Sequence, residues 1–145
     1  MQVIIAPDEE AASAPSLFLA GGISHCADWQ SEMTALLADT RLTLINPRRA
    51  RFDIRDPTVA AAQIRWEYRY LRDASAVLFL FPPETLCPIT LFELGEALER
   101  DVPVFVGWNP AYTRRSDVRI QTALACPALH VANSLPEPAA QIMAW

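Results

Sequence analysis

Residues 76–81, which read Ala-Val-Leu-Phe-Leu-Phe, restrict the fold more than any other part of the sequence because all six side chains are apolar. A strand with one face in water alternates apolar and polar residues, whereas a strand covered on both faces does not. The segment therefore predicts a central strand of a parallel sheet with helices on both faces. The loop and helix start that follow it then lie at the carboxyl edge of the sheet, where open α/β sheets bind ligands.

The rest of the chain fits the same class, because short runs of β-forming residues alternate with longer segments of helical period. Strands are predicted over residues 17–20, 42–45, 76–81, 102–106 and 129–132, with 3–5 as a further edge strand, and helices over 28–37, 58–72, 91–100, 117–124 and 137–143. These elements predict a single α/β domain over residues 1–145, with a doubly wound, flavodoxin-like sheet of five parallel strands between two helical layers. Residues 7–15 are polar and bounded by prolines, so we expect an exposed lead-in.

Composition excludes several classes of function. The net charge of -5 gives no field that would attract nucleic acid polymers, and the twelve basic residues are all arginines, which excludes a Schiff-base or P-loop lysine. Cys26, Cys87 and Cys126 lack the spacing of a zinc site or redox pair and are expected to be reduced thiols of a cytoplasmic protein. No apolar run of about 18 residues is present, so we expect no membrane partner. No metal or cofactor is implied.

Glu93 lies in the segment 90–95, Thr-Leu-Phe-Glu-Leu-Gly, where the helix after the central strand is predicted to begin. The helix dipole and free backbone N–H groups there favour an ionised carboxylate, the form that a glycosidic nucleophile requires. The same Thr-x-x-Glu pattern is also a capping box, in which Glu93 only reaches back to the backbone N–H of Thr90. The motif alone favours the cap, and both interpretations remain open at this point.

Glu67 is the second candidate, because an acid interrupts an apolar stripe. Ala60, Ile64, Glu67, Tyr68 and Leu71 have the spacing of one helix face, which predicts that the Glu67 carboxylate faces the core. Burial would raise its pKa toward the range useful to a general acid. An ion pair with an arginine is the structural alternative.

Loops at the same sheet edge carry further candidates. A Gly-Gly pair after the first strand would let backbone N–H groups approach a ligand, although an ordinary tight turn explains it equally well. Arginines after the second strand could bind a phosphate, or could pair with Asp53 and Asp56. The candidate substrate-binding residues in these segments are Gly21, Gly22, Ile23, Ser24, Trp29, Arg48 and Arg49.

Several of these segments together resemble the nucleoside 2-deoxyribosyltransferase superfamily, specifically its small deoxyribosyltransferase-like branch. The matching pieces are Phe-Leu-Ala-Gly-Gly at 18–22, Asp-Trp-Gln at 28–30, Asn-Pro-Arg-Arg at 46–49, Gln-Ile-Arg-Trp-Glu at 63–67, residues 71–81, and Ile-Thr-Leu-Phe-Glu-Leu-Gly at 89–95. The last is the most specific, because it follows the right strand and lies at the right distance from Glu67.

The resemblance implies roles for both acids. The family glutamate matching Glu93 attacks the anomeric carbon of the sugar to form a glycosyl-enzyme, and an acid matching Glu67 assists at the nucleobase or sugar. This is the two-carboxylate arrangement of retaining glycosidases. Family members complete each site with a loop from a neighbouring subunit, which here would be the loop containing Tyr112 and Arg114. The resemblance thus implies a homodimer or higher homo-oligomer that binds a small nucleoside or nucleotide.

The sequence also departs from the family. The transferases carry a tyrosine where Phe18 stands, an aspartate at the position of Glu67 and another near Cys87. The candidate substrate-binding residues also include Phe18, Cys87 and Thr90. Because of the departures, hydrolysis remains open beside base transfer. A non-catalytic nucleotide-binding or sensing domain, and a flavin-binding electron carrier of similar topology, are the competing hypotheses.

Overall fold

The computed structural model of this protein describes residues 1–50 and 55–145. Six strands alternate with five helices in that part of the chain. In chain order they are β1 (Gln2–Ile5), β2 (Ser16–Gly21), α1 (Trp29–Leu36), β3 (Thr43–Asn46), α2 (Pro57–Asp73), β4 (Ala76–Phe81), α3 (Pro88–Leu98), β5 (Val104–Trp108), α4 (Arg115–Ala125), β6 (Val131–Ala132) and α5 (Pro136–Ala144).

The strands form one parallel sheet in the order β1-β3-β2-β4-β5-β6. The predicted α/β, doubly wound fold is confirmed, and the edge strand predicted over residues 3–5 brings the sheet from five strands to six. Without β1, the order is that of flavodoxin-like proteins. The strand order reverses between β2 and β4, which places the expected ligand crevice beyond the ends of these two strands.

The position of β4 in the sheet explains why its sequence is apolar throughout. Alternate side chains point to opposite faces of a strand. Val77, Phe79 and Phe81 pack into a core with α2, α3 and α4, whereas Ala76, Leu78 and Leu80 pack into a second core with α1 and α5. Both faces of β4 are therefore buried between helical layers, as the sequence predicts.

Most element boundaries differ from the predictions by one or two residues, and the start of α3 differs by three. α3 begins at Pro88 instead of residue 91, because proline favours the first helical turn and Cys87 turns the chain with a left-handed backbone (φ 50°). α2 begins at Pro57, where the Asp56 side chain accepts hydrogen bonds from the backbone N–H groups of the first turn. The last strand covers only two of the four predicted residues.

Residues 7–15 form the exposed lead-in that their composition predicts. The backbone of this segment is nevertheless held against α2. The indole N–H of Trp66 donates to the Asp8 carbonyl oxygen at 2.7 Å, and the Tyr70 hydroxyl donates to the Glu10 carbonyl oxygen at 2.6 Å. No helix in residues 1–50 and 55–145 combines the length and apolar character needed to cross a bilayer.

Candidate active site

A cavity of about 350 Å³ opens at the carboxyl ends of β2 and β3, between α2 and α3. Its volume lies in the range typical of small-molecule sites. Its position beside the reversal of strand order is the one expected from the fold. The lining residues are Phe18, Ala20, Gly21, Gly22, Ile23, Ser24, Pro47, Arg49, Ala60, Gln63, Ile64, Glu67, Thr85, Cys87, Pro88, Ile89, Thr90 and Glu93.

Glu93 lies in the second turn of α3 and lines this cavity. Because α3 begins at Pro88, the segment 90–93 is inside the helix and cannot form a capping box, so that interpretation is wrong. The position near the helix N-terminus does not keep the pKa of Glu93 low: burial, and then the negative charges of Glu67 and Glu96, raise it to about 7, against a smaller lowering effect of Arg72.

Glu67 reaches the same cavity from α2. Burial raises its pKa, as predicted, while a hydrogen bond from Gln63 and the positive charge of Arg49 oppose that effect. The helix face was predicted only in part, because Ile64 and Tyr68 are 64% and 59% exposed. The buried residues of α2 are instead Gln63, Trp66, Tyr70 and Leu71.

The two carboxylates form an electrostatically coupled pair. Since the charge of Glu67 is among the causes that raise the pKa of Glu93, removal of a proton from one group makes removal from the other more difficult. Compared with the state in which both groups are ionised, such coupling favours a state in which the pair shares one proton. This is the state that a reaction using one ionised carboxylate and one carboxylic acid requires.

The two glycines after β2 are required by close packing. A Cβ atom on Gly21 would lie 2.4 Å from the Leu80 carbonyl oxygen, and one on Gly22 would lie 2.7 Å from Pro82 and 2.8 Å from Thr85. Both residues line the cavity. Neither has a positive φ, so close approach of neighbouring atoms, rather than a special turn, explains why glycine is present.

Trp29 does not line the cavity, contrary to the predicted substrate-binding role. Its side chain packs with the α1 and α5 core on the opposite face of the sheet, and its indole N–H donates to the Gly22 carbonyl oxygen at 2.9 Å. Trp29 therefore supports the glycine turn from behind. The geometry therefore makes Trp29 a core residue.

Arg48 also lies outside the lining. One guanidinium nitrogen donates to the Ile23 and Cys26 carbonyl oxygens, at 2.5 and 2.8 Å, and the other to the Ala27 carbonyl oxygen at 2.7 Å. The second nitrogen also lies 3.2 Å from the Asp28 carboxylate. These contacts engage the donors that a phosphate would need, so the geometry makes Arg48 a clamp on the loop rather than a ligand-binding residue.

Arg49 and Ser24 line the cavity together with Ile23, and their contact with substrate stays a prediction. The positive charge of Arg49 acts on Glu67. Of the predicted acidic partners of these arginines, Asp56 caps α2, and Asp53 lies outside the described residues.

Phe18, Cys87 and Thr90 line the cavity and are buried, at 1%, 5% and 4% exposure. Burial raises the pKa of the Cys87 thiol to about 11, so the thiol is neutral at physiological pH. The positions where the transferases carry a tyrosine hydroxyl and an aspartate therefore present an aromatic ring and an uncharged thiol. This end of the cavity is less polar than the family pattern implies.

Tyr112 differs from its predicted role in a neighbouring subunit's site. Its side chain is fully buried in its own chain, where the hydroxyl donates to the Leu86 carbonyl oxygen at 2.8 Å and supports the loop before α3. Arg114 is exposed and pairs with Asp117 at 3.1 Å. In this arrangement Arg114, and not Tyr112, is accessible to a second subunit.

Sequence reasoning assigned no function to Gln63, although Gln63 contacts Glu67 directly. The amide nitrogen of Gln63 lies 2.8 Å from a Glu67 carboxylate oxygen. A glutamine four residues before a glutamate on one helix was the available signal, since residues at that spacing are neighbours. Within the described residues, no group of three or more His, Cys, Asp or Glu side chains is arranged to hold a metal ion.

The fold and the cavity define the class of protein: a doubly wound α/β domain with two carboxylates at the point where strand order reverses. A family model described as "Nucleoside 2-deoxyribosyltransferase like" matches residues 14–112, which include β2 to β5 and all of the cavity lining. The chain belongs to this family. No protein of curated function matches the sequence.

Proposed function

We propose that this protein cleaves or transfers the N-glycosidic bond of a nucleoside or nucleotide, with Glu93 as nucleophile and Glu67 as the assisting acid. The observation that carries the proposal is the presence of both carboxylates in one cavity, on separate helices and electrostatically coupled. Family membership supports a nucleoside-type substrate, and two raised carboxyl pKa values are a recurrent property of acid–base sites.

The proposed reaction has two steps. In the first, a Glu93 carboxylate oxygen bonds to the anomeric carbon while the bond from that carbon to the base nitrogen breaks, and the departing base takes the proton of Glu67. In the second, a water molecule or a second base attacks the anomeric carbon, Glu67 accepts the proton of the attacking group, and the bond to Glu93 breaks. Water as acceptor gives a hydrolase, and a base gives a transferase.

The cavity walls are consistent with such a substrate. Phe18, Ala20 and Ala60 supply apolar surface for a planar base, whereas Ser24 and Arg49 supply polar groups near the glycine turn. We propose that a 5'-phosphate or 5'-hydroxyl lies at the Ser24 and Arg49 end. Arg48 is excluded from that role because its guanidinium is engaged by loop carbonyl groups.

A second candidate function is nucleotide binding without catalysis. The buried Phe18 ring and the neutral Cys87 thiol favour it, because they replace a hydroxyl and a carboxylate that the family's transferases carry. Under this alternative the protein binds nucleosides or nucleotides and releases no base over hours.

The test is incubation with a panel of nucleosides and 5'-nucleotides, with and without an acceptor base, followed by chromatography of the bases. We expect release of free base, and loss of at least about 1,000-fold in rate in Glu93→Gln, the scale on which removal of a covalent nucleophile acts. Glu99→Gln is the matched control, because Glu99 is an exposed glutamate at the end of the same helix, outside the cavity.

Three outcomes separate the hypotheses. New nucleoside formed only with acceptor base indicates a transferase, and free base without acceptor indicates a hydrolase. Undiminished turnover in Glu93→Gln would remove Glu93 from the mechanism. Tight binding with no base release from any compound of the panel would favour the binding domain instead.

A further inference from the structure

Gln63 occupies an unusual position in the cavity wall. It is 7% exposed, and its amide nitrogen donates two hydrogen bonds of 2.8 Å, one to the Pro47 carbonyl oxygen and one to a Glu67 carboxylate oxygen. Pro47 follows β3, and Glu67 lies one turn further along α2. The amide therefore links the loop that carries Arg49 to one of the two acids.

The orientation of this amide is determined by its partners. Exchange of its oxygen and nitrogen would place Oε1 against two acceptor atoms, the Pro47 carbonyl oxygen and the Glu67 carboxylate oxygen. In the observed orientation both amide protons donate hydrogen bonds. The amide oxygen Oε1 is then buried without a hydrogen-bond partner among the described residues. An unpaired buried acceptor is unfavourable, so the bonds through the nitrogen outweigh that cost.

We propose that Gln63 is a positioning residue, which ties the Glu67 carboxylate to the loop after β3 and so fixes how that carboxylate faces the cavity and how readily it takes up a proton. The effect of Gln63 on catalysis rests on the proposed function, in which Glu67 is the assisting acid. The physical link between Gln63 and Glu67 stands independently of any activity.

Other charged groups around Glu67 set the background for this effect. Glu93 faces it from α3, and Arg49 faces it from the loop after β3. Burial and the neighbouring acid disfavour ionisation of Glu67, whereas Arg49 and Gln63 favour it. Gln63 is the neutral member of this set, so its replacement by another neutral side chain changes the hydrogen bond and leaves the net charge of the site unchanged.

The test is a titration of the side-chain carboxyl carbons by ¹³C NMR, in the wild type and in Gln63→Met, with Glu67→Gln and Glu93→Gln used to assign the signals. Methionine matches glutamine in length and cannot donate. We expect the Glu67 titration midpoint to move upward by roughly one pH unit, the change implied by loss of one hydrogen bond to an ionised carboxylate.

Gln30→Met is the matched control. Gln30 is also a buried glutamine, and its amide nitrogen lies 3.3 Å from the Gly22 carbonyl oxygen on the other side of the glycine turn. We expect no change in the Glu67 midpoint in this variant. An unchanged midpoint in Gln63→Met, or an equal shift in Gln30→Met, would overturn the proposal.

A second variant covers the case in which Gln63→Met does not fold. Gln63→Leu also removes the donor without adding charge, so the Glu67 midpoint is again expected to rise, and an unmoved midpoint again overturns the proposal. If the wild type is active, the alkaline limb of its kcat/KM profile moves upward in the same variants. Absence of base release in the wild type contradicts the proposed function alone, because the NMR titration does not depend on turnover.

Discussion

The carboxyl groups of Glu93 and Glu67 are the residues on which the proposed chemistry depends. Each is partly buried in a wall of the same cavity, and the burial that makes each useful as an acid also makes its ionised form costly. The consequences at this scale concern the pH dependence of stability and of activity. Both can be measured on single variants.

Replacement of Glu93 by Gln is expected to stabilise the protein at alkaline pH. The pKa of Glu93 is raised to about 7 in the folded state from an ordinary value of 4.5, so the folded protein binds more protons than the unfolded chain between these values, and stability falls as pH rises through them. Urea denaturation at pH 8 should show Glu93→Gln more stable than the wild type by on the order of 3 kcal/mol, since each pKa unit of difference is worth about 1.4 kcal/mol.

The same comparison at pH 4 supplies the control. Below the unfolded value both states are protonated, so the difference between Glu93→Gln and the wild type should nearly vanish. Glu99→Gln, at an exposed position, should change stability little at either pH. An equal gain for Glu93→Gln at pH 4 and pH 8 would show that the effect is not the ionisation of this carboxyl group.

For activity, we expect kcat/KM to fall above about pH 7, where the coupled pair loses its remaining proton and no acid is left to protonate the departing base. In Glu67→Gln this alkaline limb should disappear, and the acidic limb should move to lower pH because the charge that raises the pKa of Glu93 has been removed. Persistence of the alkaline limb in Glu67→Gln would assign it to another group.

At the scale of elements, two short segments form the cavity wall: the turn after β2 and the start of α3. The turn is packed against Leu80, Trp29 and Pro82, and Arg48 holds the loop that continues from it. α3 starts at Pro88 after the left-handed Cys87, and this start sets the register in which Glu93 faces the cavity. The site is therefore built on closely packed backbone.

Gly21→Ala and Gly95→Ala are expected to change stability in opposite directions. At Gly21 a Cβ would lie 2.4 Å from a backbone oxygen of β4, which must move, so we expect a loss on the order of 2–4 kcal/mol. At Gly95, inside α3, no described atom lies within 4 Å of the added Cβ, and the better helix propensity of alanine should stabilise by up to about 1 kcal/mol. Thermal unfolding of both variants measures this directly.

The two glycine variants check each other. The open space at Gly95 predicts a gain on Gly95→Ala, whereas close packing at this position would predict a loss. A destabilised Gly95→Ala would contradict the packing described for α3. An unaffected Gly21→Ala would contradict the packing described for the turn.

Arg48→Met should loosen the loop at residues 23–28. Its guanidinium donates to three carbonyl oxygens of that loop, and hydrogen bonds to a charged group contribute roughly 1.5–3 kcal/mol each without being additive. We expect faster amide hydrogen exchange at 23–28 and a loss of stability on the order of 2–4 kcal/mol. Arg41→Met, at an exposed arginine, is the control; equal exchange in the two variants would contradict the clamp.

At the scale of the whole molecule, the sequence predicts the topology well, because hydrophobic period and strand spacing are local signals that the parallel sheet preserves. The apolar segment 76–81 alone identifies the central strand and hence the ligand edge. Side-chain direction was less predictable. Trp29 faces the opposite layer, and the buried face of α2 is rotated from the predicted one. Both side-chain directions depend on how the helix packs on the sheet as well as on residue spacing.

The candidate site was also predictable in part: the sequence identified both acids but not the start of α3 or the roles of Arg48 and Tyr112. Glu67 was identified because a carboxylate that interrupts an apolar helix face is conspicuous in sequence, and Glu93 because it lies near the start of the helix that follows the central strand. The start of α3 was predicted three residues too late, because Thr-x-x-Glu at 90–93 has the pattern of a capping box. Pro88 was the better signal for the helix start. The roles of Arg48 and Tyr112 depend on carbonyl groups distant in sequence, which no local pattern reveals.

The oligomeric state is a prediction at this scale. Ile64 and Tyr68 of α2 and Ile89 and Phe92 of α3 are more than half exposed, and Ile64 and Ile89 also line the cavity. A second copy covering these residues would exclude water from the site. We expect sedimentation to show a homodimer or larger assembly, and Phe92→Glu to shift it to monomer.

Leu124→Glu is the matched control for that experiment, because Leu124 is 75% exposed and Phe92 74%, but Leu124 lies on α4 away from the cavity. The control should keep the assembly of the wild type. A wild type that sediments as a monomer at all concentrations would contradict the prediction, and dissociation by Leu124→Glu instead would place the interface elsewhere.

The central claim is that Glu93 becomes bonded to the sugar. The most direct measurement is mass spectrometry of the intact protein and its peptides after rapid acid quenching of a reaction with a nucleoside that it cleaves. The account predicts a mass increase of one glycosyl group, located on the peptide that contains Glu93 and absent from Glu93→Gln. Base release without an adduct at any quench time, or an adduct on another residue, would contradict it.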